Sequence, residues 1–115
     1  MKEISAIKYV ENKSRFYAHH YKIENEEDIS EILKIHRKNY KKANHHCYAA
    51  IIEKKEIFKD DGEVGHPGRV LLGIIKNNNL DSDLIVVSRI FGGIKLGVGG
   101  VSRAFREAAN SLFKN

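Results

Sequence analysis

Residues 91–100 read FGGIKLGVGG and hold five of the nine glycines of the chain. Glycine accepts positive φ angles and the close approach of other atoms to bare backbone, so we expect one of these geometries here. An apolar run precedes this glycine loop and an amphipathic pattern follows it, which is the strand–loop–helix order of an anion-binding loop. The spacing matches neither a P-loop nor a dinucleotide fingerprint, so turn geometry alone is the competing interpretation.

The stretch DDGE at residues 60–63 groups three carboxylates around a glycine. Such a turn suits Mg²⁺, but a charged hairpin end paired with Arg69 or Arg103 explains the same pattern. The six histidines and Cys47 lack zinc-binding spacings, so we assign no metal site and expect no cofactor, with Mg²⁺ at the acidic turn as the alternative. The carboxylates of this candidate cluster are those of Asp60, Asp61 and Glu63.

Arg89 interrupts the apolar run LIVVSRIF, where a charge is costly unless it is paired. We expect it either to reach the sheet edge or to meet a carboxylate such as Asp61. The functional interpretation is an arginine directed into a cleft. The net charge of +5 permits an anionic partner without requiring one. The residues assigned to one basic face are Lys13, Arg15, Arg89, Lys95, Arg103 and Arg106.

The composition indicates one globular domain over residues 1–115, with 42% hydrophobic and 30% charged residues and one proline. No segment is apolar enough to cross a membrane, and the charged start is unlike a signal peptide. One cysteine cannot form an internal disulfide, which is typical of a reducing compartment. The sequence therefore predicts a cytoplasmic protein.

The pattern of residues predicts the element order ββαββαβα, an α+β two-layer sandwich. We expect a mixed sheet of four to five strands with the helices on one face. The predicted elements are a hairpin over 3–23, a helix over 26–42, a hairpin from HCYAAII and EIFK, a short helix from Pro67 to the NNN stretch, an interior strand LIVVSRIF, and a helix over 99–113.

Several stretches taken together resemble the N-terminal domain of the IMPACT/YigZ family: SRFYA, HHCYAA, DDGE, GRVLL and, above all, VVSRIFGGIKLGVGGVSRAFREAA. The resemblance implies a fold shared with a ribosomal small-subunit protein domain and the fourth domain of elongation factor G. It also implies a role linked to translation, since eukaryotic members regulate the stress control of initiation by competing for a protein partner. The family pattern marks Ser14, Arg15, Phe16, His45, Asp60, Asp61, Gly62, Glu63, Gly68, Arg89, Phe91, Gly92, Gly93, Lys95, Leu96, Gly97, Gly99, Gly100, Arg103 and Ala104.

This chain departs from the family pattern at two places. The segment VGHPGR after DDGE is shorter than usual and lacks the family's hydroxyl residues, and Ile90 stands where a tyrosine is usual. The chain ends at Asn115, so we also expect it to lack the second, ferredoxin-like domain of many bacterial members and the partner-binding extension of eukaryotic ones.

Our leading hypothesis is a non-enzymatic, translation-associated module that binds RNA, the ribosome or a ribosome-linked protein beside the glycine loop. One alternative is an enzyme or binding protein for a phosphorylated small molecule, such as a nucleotide; the other is a purely protein-binding adaptor. We expect no membrane contact and no readout of DNA sequence. The predicted binding residues are Arg15, Arg89, Gly92, Gly93, Lys95, Gly97, Gly99, Gly100, Arg103 and Arg106.

Overall fold

The computed structural model describes residues 1–114, which form five strands, three α-helices and a final 3₁₀ turn. Their order, ββαββαβα, is the predicted one. The elements are β1 (Lys2–Glu11), β2 (Ser14–Lys22), α1 (Glu26–Asn39), β3 (His45–Ile52), β4 (Lys55–Lys59), α2 (Pro67–Asn77), β5 (Asp83–Ile90), α3 (Gly97–Asn110) and the 3₁₀ turn (Ser111–Phe113).

The five strands form one sheet in the order β1-β2-β5-β3-β4, and each neighbouring pair is antiparallel. The α+β class is therefore confirmed, whereas the sheet is antiparallel rather than mixed. Strand β5 lies in the middle, between β2 and β3, and all its residues before Ile90 are buried. Its continuous apolar run follows from this position, because neither of its faces meets water.

The helices occupy both faces of the sheet, which differs from the predicted single helical layer. On one face, α2 and α3 pack over a core that includes Phe16 and Phe105. On the other, Ile29 and Ile32 of α1 pack against Leu84 and its neighbours. Alternate residues of β5 point to opposite faces, and its apolar residues fall on both of them, so the strand needs a helix on each side.

The ends of two helices also differ from the predicted ones. Helix α1 ends at Asn39, three residues before the predicted end, because Tyr40 leaves helical geometry with φ −121° and ψ 60°. Helix α3 begins at Gly97 instead of Gly99, so one more glycine of the loop, Gly97, belongs to its first turn. None of the helices within residues 1–114 is long and apolar enough to span a membrane.

Candidate binding cleft beside the glycine loop

Arg89, near the end of β5, organises the candidate site. Its side chain points to the face covered by α2 and α3, and the residue is only 7% exposed. One terminal nitrogen, Nη1, donates to Glu63 Oε2 at 3.1 Å, and the other, Nη2, donates to Ser14 Oγ at 3.3 Å. The guanidinium carbon lies 5.4 Å from the ring centre of Phe16 and 5.7 Å from that of Phe91. The buried charge is thus paired and lies between two aromatic rings.

The acidic turn provides the partner of Arg89, but through Glu63 rather than the expected Asp61. Asp60 and Asp61 serve other donors: Asp60 Oδ1 accepts from the Gly68 N–H and Asp61 Oδ2 from the His46 N–H, both at 2.8 Å. Each of the three carboxylates therefore accepts a hydrogen bond from a different part of the chain. The turn does not take Arg69 or Arg103 as its partner in the ion pairs recorded for residues 1–114.

His45 and Cys47 lie beside this turn, and each has a hydrogen-bond partner in it. The Asp61 carbonyl oxygen lies 2.8 Å from His45 Nδ1, and because a carbonyl only accepts, this nitrogen carries the proton. Burial raises the pKa of the Cys47 thiol, which donates to the Asp60 carbonyl at 3.1 Å, as expected of an inert structural cysteine. In the part of the chain that is described, no group of three or more His, Cys, Asp or Glu side chains is arranged to hold a metal ion.

The glycine loop requires both of the geometries that the sequence suggested. A Cβ atom on Gly92 would lie 2.1 Å from the carbonyl carbon of Lys13, so only glycine allows the loop to pass this backbone. Gly93 and Gly97 instead have positive φ angles of +91° and +75°. The Gly92 N–H donates to Ser14 Oγ at 3.2 Å, which fixes the start of the loop to the arginine pair.

Helix α3 begins at this loop, and no side chain of residues 1–114 caps it. The residue before its first turn is Leu96, which has no polar group to offer, and the first turn contains no acidic residue. Three of its first four residues are Gly97, Gly99 and Gly100, which leaves the backbone of the turn accessible. The unpaired N–H groups and the helix dipole give this end a positive partial charge.

A cleft of about 560 Å³ lies between this helix start, the end of β5 and the residue after DDGE. Its rim is apolar and half exposed: Val64 and Phe91 are each 49% exposed and Val98 is 61% exposed. The volume is that of a typical site for a small molecule or a few side chains. The lining residues are Asn44, His45, Val64, Arg89, Phe91, Lys95, Leu96, Gly97, Val98 and Val101.

The predicted basic residues do not form one face. Arg15 pairs with Ile90 across the sheet while its neighbour pairs with Arg89, so the two arginines point to opposite faces. Arg103 lines a separate groove with Glu107, and Arg106 lies in another groove between α2 and α3. Of the predicted basic residues, Arg89 and Lys95 line the cleft.

On the opposite face lies a series of hydrogen-bonded, mostly buried side chains that was not predicted from the sequence. His36 of α1 is 1% exposed; its Nε2 lies 2.9 Å from the Tyr21 hydroxyl and its Nδ1 lies 2.8 Å from Ser88 Oγ. The same hydroxyl of Ser88 lies 2.7 Å from His46 Nδ1. Burial lowers the pKa of His36 to about 3, so this imidazole is neutral at physiological pH. Ser88, a hydroxyl residue within LIVVSRIF, was the available signal in the sequence.

The apolar rim of the cleft was also missed. The binding residues predicted in the loop are glycines and a cation, although Phe91, Ile94 and Val98 alternate with the glycines. All three side chains are at least 45% exposed. Large apolar side chains inside a glycine-rich loop have little core to enter, and this was the signal that could have found the rim.

The fold and the cleft define an α+β domain that carries a ligand-sized groove beside an uncapped helix. The model of the Impact N-terminal domain matches residues 12–113, so the chain belongs to that family, as its motifs had indicated. The IMPACT family member YvyE of Bacillus subtilis is 37% identical over 114 residues, which cover 96% of this chain and 52% of that protein. The chain spans about half the length of the first curated relatives that it matches.

Two solved structures are similar to the whole fold. A crystal structure of a hypothetical protein superposes with a TM-score of 0.88 at 27% identity, covering 94% of this chain and 55% of the other. The structure of Yih1, described as a two-domain translational regulator, has a TM-score of 0.54 at 25% identity. That match covers 96% of this chain and 46% of Yih1.

Proposed function

We propose that the chain is a non-enzymatic regulatory module of translation that binds a translation-linked macromolecule through the cleft beside the glycine loop. Membership of the Impact N-terminal domain family and the likeness to Yih1, a translational regulator, support the role in translation. The arrangement of the cleft supports the mode of action, which is binding.

The observation that carries this proposal is the convergence of distant segments on one side chain. Ser14 and Glu63 lie 75 and 26 residues from Arg89 in the chain, and both contact its side chain. Phe91, two residues after Arg89, adds its ring to the same cluster. These contacts form one wall of a cleft whose rim consists of exposed apolar residues. Exposed apolar patches with a polar surround are typical of interaction sites.

A protein partner accounts for this rim better than RNA does. RNA binding along a face uses a track of cations and several aromatic platforms, whereas the cleft has Lys95 and one half-exposed aromatic, Phe91. Val64 and Val98 offer aliphatic surface, which suits the side chains of a protein. Direct contact with RNA or the ribosome is the other outcome of the test below.

The alternative of an enzyme for a phosphorylated small molecule is supported by the uncapped start of α3 in a cleft of about 560 Å³. Its proposed base or Mg²⁺ ligands already have partners, however, because Asp60 and Asp61 accept backbone N–H groups and Glu63 accepts from Arg89. A screen of nucleotides with Mg²⁺ by thermal melting tests this alternative, since a ligand that binds the native state raises the melting temperature.

The test of the proposed function is co-sedimentation with ribosomes from the organism that encodes the chain, using salt-washed ribosomes and whole extract. We compare the chain with Val98→Asp, which puts a charge on the rim, and with Val10→Asp, a matched change at an equally apolar position that is 53% exposed on β1. We expect the chain to associate with ribosomes in extract. This association should fall at least tenfold in Val98→Asp and stay unchanged in Val10→Asp.

Three other results lead elsewhere. Binding to protein-free ribosomal RNA with a salt slope of several ions would assign the cleft or its surroundings to RNA. Equal sedimentation of the two variants would remove the cleft from the proposal. No association in extract or with washed ribosomes would overturn the role in translation.

A further inference from the structure

The three helices begin in different ways. Helix α1 is capped by the Asn25 side chain, which accepts from the Asp28 N–H at 3.1 Å. Helix α2 is capped by a residue of the preceding acidic turn, because Asp60 Oδ1 accepts from the Gly68 N–H at 2.8 Å. Helix α3 has no capping side chain among the described residues. Its first turn therefore presents a positive partial charge that no carboxylate or amide of residues 1–114 neutralises.

A second and independent observation points to a ligand at the same place. Arg89 is more than nine-tenths buried, and its Nε is the single buried side-chain nitrogen or oxygen within residues 1–114 that has no hydrogen-bond partner. Both terminal nitrogens of this guanidinium already donate to side chains. Buried donors are normally satisfied, and Arg89 lines the same cleft as Gly97 of the helix start, so the guanidinium with the unmatched donor and the uncapped helix start belong to one site.

The charge of the cleft walls indicates the charge of the ligand. Two of the residues that line the cleft, Arg89 and Lys95, are cationic, and none is acidic. Lys95 is exposed at the rim and lies two residues before the first turn of α3. Electrostatic complementarity therefore favours an anionic group that reaches Lys95 and the helix start together.

The apolar part of the cleft indicates the rest of the ligand. Val64, Phe91 and Val98 form the half-exposed rim, and Leu96 and Val101 contribute further aliphatic surface. Nucleobases stack on aromatic rings and gain little from branched aliphatic side chains, whereas a leucine or phenylalanine of a peptide packs well against both. A cleft of about 560 Å³ holds one such side chain with its flanking backbone.

We infer that the cleft binds an acidic peptide segment of a partner protein, in which a carboxylate reaches Lys95 and the start of α3 and a neighbouring apolar side chain enters between Phe91 and Val98. This inference rests on the proposed function and narrows it to one class of partner. The acidic groups of the peptide supply the acceptor that the uncapped helix lacks and place a negative charge beside the guanidinium whose Nε is unmatched.

The experiment is a selection of phage-displayed 12-residue random peptides on the immobilised chain. We expect the selected peptides to combine at least two acidic residues with a leucine, phenylalanine or other large apolar residue. The best peptide is then titrated into the ¹⁵N-labelled chain. We expect shifts of the Gly97 and Gly99 amides and of the Arg89 Nε–H signal, which reports directly on the buried donor.

Two charge-reversal variants provide the control. Lys95→Glu reverses the charge at the rim, and Lys38→Glu makes the same change on exposed α1, which covers the opposite face of the sheet. We expect at least a tenfold loss of affinity for the selected peptide in Lys95→Glu and less than a twofold change in Lys38→Glu. Equal losses in the two variants would mean attraction by net charge alone and would overturn the inference.

The remaining outcomes separate this inference from the proposed function. Selected peptides that are basic or uncharged, or that leave the Arg89 Nε–H signal unmoved, overturn it. The inference is also overturned if octauridylate, a short RNA, shifts these signals and the peptides do not. In that case ribosome association still supports a role in translation. If a peptide binds the cleft but the chain does not associate with ribosomes, the inference is supported and the proposed function is overturned.

Discussion

The two faces of the sheet differ in whether their polar groups have hydrogen-bond partners. On the α1 face, Asn25 caps the helix, three acidic residues occupy its first turn, and the buried His36 has a partner on each ring nitrogen. On the α3 face, the helix starts without a capping side chain, and Arg89 keeps a buried nitrogen without a partner among the described residues. The chain satisfies its own hydrogen bonds in the first region and leaves donors unmatched in the second.

This difference separates a structural region from a binding region within one small domain. A buried group that is fully satisfied stabilises the fold and has nothing left to offer a ligand. An uncapped helix and an exposed apolar rim reduce stability in the isolated chain, and a partner that covers them recovers it. The three predictions below test this division in order of expected effect.

The largest expected effect concerns the buried ion pair that supports the cleft. Glu63→Gln removes the carboxylate 3.1 Å from Arg89 Nη1 and leaves a buried charge uncompensated. We expect a loss of about 3 to 5 kcal/mol in the free energy of unfolding, measured by urea denaturation. The control is Glu56→Gln, which breaks an exposed 2.7 Å pair with Lys76 and should cost about 1 kcal/mol or less. Similar losses in both variants would show that Arg89 does not depend on Glu63.

The second prediction uses pH to probe the α1 face of the sheet, where His36 is buried. The folded-state pKa of His36, about 3, lies below the ordinary 6.5, so the unfolded chain binds more protons between these values. The stability from neutral His36 is therefore fully present above pH 6.5 and is lost as the pH falls, at up to about 1.4 kcal/mol per pH unit. His46 adds to this in the same direction, because burial also lowers its pKa.

The measurement is the free energy of unfolding between pH 7 and pH 4.5 for the chain and two variants. His36→Gln removes the titrating ring and should flatten the slope by up to one proton. Tyr21→Phe removes a hydrogen bond to His36 but keeps the ring, so it should lower stability and leave the slope unchanged. A slope that His36→Gln does not change would place the proton uptake elsewhere.

The smallest expected effects compare the two helix starts directly. Asn25→Ala removes the cap of α1 and should cost about 1 kcal/mol. Val98→Asp adds an acid to the first turn of α3 and should stabilise the isolated chain by about 0.3 to 1 kcal/mol. Urea midpoints measure both. The same Val98→Asp variant should bind its partner more weakly, and a variant that is destabilised instead would show that the start of α3 is already satisfied.

Most of the secondary structure followed from local pattern. The capped stripe of α1, the polar turn between β1 and β2 and the apolar run of β5 each depend on neighbouring residues, so their order was predictable. The placement of α1 on the opposite face was not, because periodicity shows that a helix has an apolar side without showing which surface covers it. The convergence of Ser14 and Glu63 on Arg89 likewise joins residues far apart in the chain.

The sequence by itself determined the element order, the family motifs and the need for glycine in the loop after β5. The apolar run around Arg89 also indicated that this charge required a partner. Only the tertiary structure decided that the partner is Glu63 and that Lys95, but not Arg15, shares its cleft. The physical reason is that backbone preferences act over a few residues, whereas pairing and charge proximity depend on which strands and helices the whole fold brings together.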